Sequence, residues 1–109
     1  MSKKDDLIAK YKEKLAEMGE SIDEDLLVKV VNGLGPSIYL PDASKVSCSD
    51  QDELDRIKKN FLIKKLNLPD SAKLDEAIKE VCAKFDSSDR SKYRAVFYYL
   101  LAKKFGKTP

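Results

Sequence analysis

Five stretches of this chain repeat their apolar residues every three or four positions, the spacing that places them on one face of an α-helix. Glycine, proline or clusters of Asp and Ser separate the stretches, and residues of these types begin or end helices. No stretch shows the strict alternation of a half-buried β-strand. The pattern predicts an all-α fold, a compact irregular bundle of about five helices over residues 3–18, 23–34, 50–66, 71–85 and 90–105.

A length of 109 residues with 42% hydrophobic side chains suits one helical domain over residues 1–109 with a single core. The second predicted helix carries apolar residues around more than half of its circumference, so we expect it to be the most buried. The longest irregular connection covers 36–49. It is either functional or packed on the core, with a short helical turn near Ser37 and four apolar anchors, Ile38, Tyr39, Leu40 and Val46.

The charges of the chain are divided unevenly between its halves. Residues 1–55 hold 7 Lys/Arg and 13 Asp/Glu, whereas residues 56–109 hold 14 Lys/Arg and 6 Asp/Glu, so the net charge of +2 conceals an acidic and a basic half. The two halves either pack together and neutralise one another, or the second half presents a basic face to an acidic partner or to nucleic acid.

The composition argues against catalysis and against a bound metal or cofactor. The sequence has no histidine, which removes the commonest general base, the commonest zinc ligand and every Ser-His or Cys-His pair. Gly33-Leu34-Gly35 lacks the third glycine of a dinucleotide fingerprint and reads as a helix cap. The acidic residues of 50–55 lack the spacing of a calcium loop. We therefore expect a protein that is not an enzyme, with no cofactor and no metal.

Two observations bear on the cellular compartment. The longest uninterrupted apolar run, Ala95–Ala102, is too short to span a bilayer, and the N-terminus lacks a secretory apolar stretch, so we expect a cytoplasmic protein with no membrane partner. Cys48 lies in a polar loop, where a thiolate would be mildly stabilised, and Cys82 lies on an apolar helix face. A disulfide between them is compatible with the sequence, but nothing indicates an oxidising compartment, and we expect two free thiols.

The last predicted helix supplies the candidate site residues. On a helical wheel Tyr99 projects away from the apolar arc, on one ridge with Lys92 and Lys103, and an exposed tyrosine between lysines suits a partner surface. The alternative is an outward tyrosine covered by a loop or tail. Arg94 falls on the apolar side, where a guanidinium needs a partner. We expect a structural buried charge, paired with an acid of the N-terminal half; the alternative is an arginine lining a ligand pocket.

The last two helices also invite comparison with helix-turn-helix DNA readers, with Arg90, Lys92 and Arg94 near the start of the recognition helix. Their connector is long, however, and the helix is too apolar to leave a reading face. The preferred function is a small protein-interaction or regulatory module that binds an acidic partner or a second copy of itself. The alternative is weak nucleic-acid binding through the basic C-terminal half.

The chain also resembles a small bacterial family of uncharacterised helical proteins, the domain-of-unknown-function family 2853. The similarity covers essentially the whole chain and rests on four segments, MSKKDDLIAK at 1–10, GLGPSIY at 33–39, NFLIKKL at 60–66 and KYRAVFYYLL at 92–101. The resemblance implies a bacterial, cytosolic, compact helical domain, and it implies no activity, cofactor or catalytic residue.

Overall fold

The computed structural model describes residues 3–40, 44–85 and 92–109. These ranges contain five α-helices and no named β-strand, so the predicted all-α fold is confirmed. The expected helix start at residues 90 and 91 lies outside the described residues, and the chain enters the last helix only after Tyr93. The helices are α1 (Lys3–Glu17), α2 (Glu24–Leu34), α3 (Gln51–Ile57), α4 (Ala72–Lys84) and α5 (Arg94–Phe105).

Local capping chemistry explains where α2 and α3 begin. The side chain of Asp23 accepts a hydrogen bond from the Leu26 amide at 3.2 Å, and Asp50 accepts from the amide of Asp52 at 3.0 Å. Both aspartates thereby satisfy amides that have no partner inside the helix. At the far end of α2, Gly35 adopts a positive φ of 61°, which a residue with a Cβ rarely does, and the chain turns into a short 3₁₀ helix (Gly35–Tyr39).

The third predicted helix, 50–66, is not one continuous α-helix. After α3 the chain widens into a π-helix (Lys58–Ile63), at whose end the Lys64 amide donates to the Lys59 carbonyl, five residues back, at 3.3 Å. The wider turn has a consequence for packing. It places Phe61 and Leu62, adjacent in sequence, in the core together.

The core is organised around α5, which packs against α1, α2, α4 and the π-helix. All eight residues of Ala95–Ala102 are buried, whereas α2 buries only Leu27, Val30 and Val31. The expectation that the second helix is the most buried is therefore wrong. The apolar residues cover more than half of the circumference of α2, which suggested a central helix. In the structure the neighbouring helices surround α5 instead, and α2 leaves part of its apolar surface at the edge of the core.

The long connection between α2 and α3 packs only in part. Ile38 and Val46 are buried as expected, but Tyr39 and Leu40 are exposed, at 46% and 55%, so their prediction as anchors is wrong. The 3₁₀ helix ends at Tyr39 and turns these two side chains outward, while its opposite side carries Ile38 into the core.

Candidate functional site

The predicted partner surface on α5 does not form, because Tyr99 is fully buried, with 0% of its surface exposed. Its hydroxyl accepts a hydrogen bond from the Asp23 amide at 2.8 Å and donates one to the Ser21 carbonyl at 2.9 Å. The connection between α1 and α2 thus covers the side of α5 that the helical wheel leaves outward. The prediction of an exposed Tyr99 is wrong, and its alternative, a tyrosine covered by a loop, describes the structure.

The two lysines of the predicted ridge lie in different places. The Lys103 ammonium donates to the carbonyl and the hydroxyl of Ser21 and lies 5.9 Å from the centre of the Tyr99 ring. Lys103 therefore helps to hold the connection between α1 and α2 against Tyr99. Lys92 precedes α5 and does not share its ridge. Its carbonyl instead accepts a hydrogen bond from the Val46 amide at 2.8 Å. The wheel is wrong for Lys92 because the helix begins two residues later.

Arg94 has the partner that its position demands. Its guanidinium forms an ion pair with Glu53, an acid of the N-terminal half, and donates to the Tyr98 hydroxyl at 3.0 Å and to the Lys45 carbonyl at 3.3 Å. Burial lowers the pKa of Arg94, but the Tyr98 and Glu53 oxygens raise it, and the net pKa lies above the ordinary value. Arg94 therefore stays charged and links α5 to α3 and to the loop before it.

That loop, residues 44–50, is tied down at its start and is named the tethered loop below. The Val46 amide donates to the Lys92 carbonyl at 2.8 Å, and the Arg94 amide donates to the Ser44 carbonyl at 2.7 Å. These bonds form an antiparallel bridge between Lys45 and Tyr93, and the Val46 side chain is buried beneath it. The start of the tethered loop is thus fixed to the segment that enters α5.

A disulfide ties the middle of the tethered loop to α4. Cys48 and Cys82 are bonded with their Cα atoms 6.0 Å apart, across a sequence separation of 34. The expectation of two free thiols is therefore wrong. The bridge at Lys45 and Tyr93 carries the loop back across the molecule and places Cys48 against the last turn of α4, a proximity that helical periodicity does not report.

The tethered loop and α4 enclose a groove of about 700 Å³, named the disulfide groove below. Both cysteines line it. Its described lining residues include the three lysines Lys45, Lys79 and Lys92, and they include no carboxylate. Phe85 contributes an apolar side chain to the lining of the groove. The groove therefore combines a redox-capable bond with a local excess of positive charge.

The described residues contain no candidate metal site, and their mainly apolar pocket is small. They contain no group of three or more His, Cys, Asp or Glu side chains placed to bind an ion. A mainly apolar pocket between Phe61 and Tyr98 encloses about 160 Å³, less than the roughly 300–1,000 Å³ of typical ligand sites. Within the part of the chain that the structure covers, no helix combines the length and the apolarity needed to cross a bilayer.

Sequence reasoning missed most of this site. It named Lys92, but for a different surface, and it singled out neither Lys45 nor Lys79. The sequence feature that could have indicated the site is its pair of cysteines. Two cysteines can form only one intramolecular disulfide, and Cys48 lies in the longest irregular connection of the chain.

Comparison with known proteins identifies a family and assigns no activity. No curated protein matches the chain. One family model, described as protein of unknown function (DUF2853), matches residues 9–109, which include every helix from α2 to α5 and both cysteines. The chain therefore belongs to the domain-of-unknown-function family 2853.

Proposed function

We propose that this protein is a non-catalytic interaction module of the cytoplasm that binds an acidic segment of a partner protein in the disulfide groove. The observation that carries the proposal is the set of lysines on the groove walls: Lys45 from the tethered loop, Lys79 from α4 and Lys92 from the segment before α5. Three different elements thus direct positive charge into one concave surface. Such complementarity favours a negatively charged ligand and speeds its encounter.

Two of these lysines are available to a ligand. Lys45 and Lys79 are exposed, and within the described residues neither side chain forms an ion pair. Several lysines elsewhere are already engaged in ion pairs, such as Lys58 with Asp75 at 3.0 Å and Lys84 with Glu20 at 2.6 Å. Lys45 and Lys79 therefore bring positive charge to the groove that no ion pair among the described residues neutralises.

The groove also has walls that are held in place before a partner arrives. The tethered loop is fixed by two backbone hydrogen bonds, by the buried Val46 side chain and by the disulfide. Binding to a surface that is already ordered avoids part of the entropy cost of association, which lets a few charged contacts give measurable affinity.

Two further features favour binding over catalysis. The sequence has no histidine, and the groove has no acid–base pair among its described lining residues. The helix-turn-helix form of the nucleic-acid alternative is also disfavoured, because Ala95–Ala102 is buried and leaves α5 no face for a DNA groove.

The test is a binding titration with a labelled glutamate-rich peptide and a length-matched peptide in which glutamine replaces glutamate. We expect Lys45→Gln combined with Lys79→Gln to weaken binding of the acidic peptide at least about tenfold, roughly 1.4 kcal/mol. Lys59→Gln combined with Lys64→Gln is the matched control. It removes the same charge from two exposed lysines that do not line the groove, and it should change affinity less than about twofold.

Equal losses in the two double variants would contradict a specific groove site, as would equal binding of the two peptides. A labelled single-stranded DNA, titrated against the same variants, tests the nucleic-acid alternative. DNA that binds more tightly than the peptide, with an affinity that falls steeply with salt, would replace the proposed function with that alternative.

A further inference from the structure

We propose that the Cys48–Cys82 disulfide is a reversible redox bond, that a dithiol reductant opens it from the disulfide groove, and that its reduction releases the tethered loop from α4. The release of the loop stands on the structure of the groove alone. The consequence for partner binding, described below, rests on the proposed function.

The position of the bond makes it accessible. Cys48 and Cys82 both line the groove and are only partly buried, whereas Val81, the neighbour of Cys82 in α4, is 1% exposed. Thiol–disulfide exchange needs a thiolate to reach one of the two sulfurs, so a bond at a groove wall reacts where a bond in a closed core does not.

The charges around the bond favour its reduction. Lys45 and Lys79 line the same groove as the two sulfurs, and Lys79 lies one helical turn before Cys82 on α4. Nearby ammonium groups stabilise thiolates. They stabilise the leaving cysteine thiolate as the bond breaks, and they attract the thiolate of an incoming reductant.

The exchange proceeds in two steps with a balanced outcome. A thiolate of the reductant attacks one sulfur, the S–S bond breaks, and the other cysteine leaves as a thiolate. The second thiol of the reductant then attacks the mixed disulfide and releases the remaining cysteine. Two electrons and two protons pass to the protein, which gains two thiols, and the reductant becomes a disulfide.

The remaining contacts of the loop are few beyond its first residues. Ser47 and Ser49 are exposed, and the contacts described for them are local, namely their two hydroxyls at 3.3 Å and the Asp50 amide on the Ser47 carbonyl at 3.3 Å. Asp50 is exposed too, and its side chain caps the start of α3. Among the described contacts, the disulfide is what joins this part of the loop to α4. Breaking it frees one wall of the groove and weakens the bridge between Lys45 and Tyr93.

The cytoplasmic location that is part of the proposed function supports a redox role. In the reducing cytoplasm, disulfides of most proteins are transient and are usually catalytic or redox-sensing. Oxidation then assembles the groove and reduction takes it apart. We expect the affinity of the reduced protein for the glutamate-rich peptide to be about tenfold lower than that of the oxidised protein.

The test follows amide hydrogen exchange of the full chain in dithiothreitol buffers of increasing reducing strength, with free thiols counted by alkylation and mass spectrometry. Reduction should speed exchange at the Val46 and Arg94 amides at least about tenfold, because these amides form the bridge. The Leu66 amide, which donates to the Phe61 carbonyl in the π-helix, should be unchanged. Cys48→Ser combined with Cys82→Ser is the matched control and should show fast exchange with or without dithiothreitol.

Two results would overturn the proposal. One is a bond that is reduced only when the helices unfold, as followed by circular dichroism, which would make it a structural cross-link. The other is reduction without any change in exchange at Val46 and Arg94. Failure of the oxidised protein to bind the acidic peptide would instead defeat the proposed function, and the exchange data would still decide whether the bond is reversible.

Discussion

Arg94 and Glu53 form an ion pair that joins α5 to α3, and both side chains are largely buried, at 16% and 13% exposure. Glu53 also accepts a hydrogen bond from Arg56 at 3.0 Å, but the Arg56 side chain is 61% exposed. The Glu53 carboxylate thus has two arginine partners in different surroundings. Arg94 is largely buried, whereas Arg56 is exposed to solvent.

This difference predicts unequal effects of removing the two arginines. Arg94→Ala should lower the free energy of unfolding by about 3 kcal/mol, because it leaves the Glu53 charge and the Tyr98 hydroxyl without their inner partner. Arg56→Ala is the matched control and should change it by less than about 0.5 kcal/mol. Urea denaturation of the two variants measures both values. A silent Arg94→Ala would show that the pair contributes nothing to the fold.

Tyr99 provides a second test of what α5 does. Tyr99→Phe removes a hydroxyl that serves both the Ser21 carbonyl and the Asp23 amide, so we expect a loss of about 1–2 kcal/mol, and Tyr99→Ala should cost about 3–5 kcal/mol. Tyr39→Ala is the control, because Tyr39 is 46% exposed, and should stay within about 0.5 kcal/mol. Thermal melts separate these outcomes. A Tyr99→Ala variant as stable as Tyr39→Ala would contradict the buried position.

The disulfide should contribute measurably to stability. Closing a loop across a sequence separation of 34 restricts the unfolded chain, which corresponds to roughly 3–4 kcal/mol in the chain-entropy account. Cys48→Ser, Cys82→Ser and the double variant should therefore lose the same amount, since each removes the one bond. Denaturant titrations with and without dithiothreitol measure the loss. Clearly additive effects of the two single variants would point to packing of the individual side chains instead.

Tyr11 makes stability depend on alkaline pH. Burial, followed by repulsion from Tyr93 and Tyr39, raises the pKa of Tyr11 to about 12, against about 10 in an unfolded chain. The folded state therefore disfavours the phenolate. The contribution of Tyr11 is fully present below pH 10 and is lost as pH rises toward 12.

Tyr11→Phe isolates this effect from that of Tyr98, whose pKa burial also raises. Between about pH 8 and about pH 11.5, the wild type should lose about 2 kcal/mol more unfolding free energy than Tyr11→Phe. Urea denaturation at the two pH values gives the comparison. Parallel losses in both proteins would show that Tyr11 is not the titrating group.

Much of the fold was predictable because it depends on local chemistry. The apolar spacing identifies five helices, and Asp23 and Asp50 begin α2 and α3 by accepting amide hydrogen bonds within three residues. The need of Arg94 for an acidic partner was also legible, since a guanidinium on an apolar face is unstable alone. The capping hydrogen bonds join residues that are close in sequence. The cost of burying an unpaired guanidinium is present whichever acid neutralises it, so it can be predicted without knowing the partner.

The central place of α5 and the site itself were not predictable in the same way. A helical wheel shows which side of a helix is apolar, but not how many neighbours surround it, so it left Tyr99 outward although the 21–23 connection covers that side. It also extended α5 back to Lys92, where the chain forms a bridge with the tethered loop instead.

The residue pattern was enough to predict the all-α class and the approximate helix positions, and it contains the two cysteines and the basic second half. In contrast, the bond between Cys48 and Cys82 and the groove lined by Lys45, Lys79 and Lys92 become visible only in the folded chain. The physical reason is that these residues belong to three segments far apart in the chain. Their meeting depends on how the helices and the tethered loop pack together, and no local pattern records that packing.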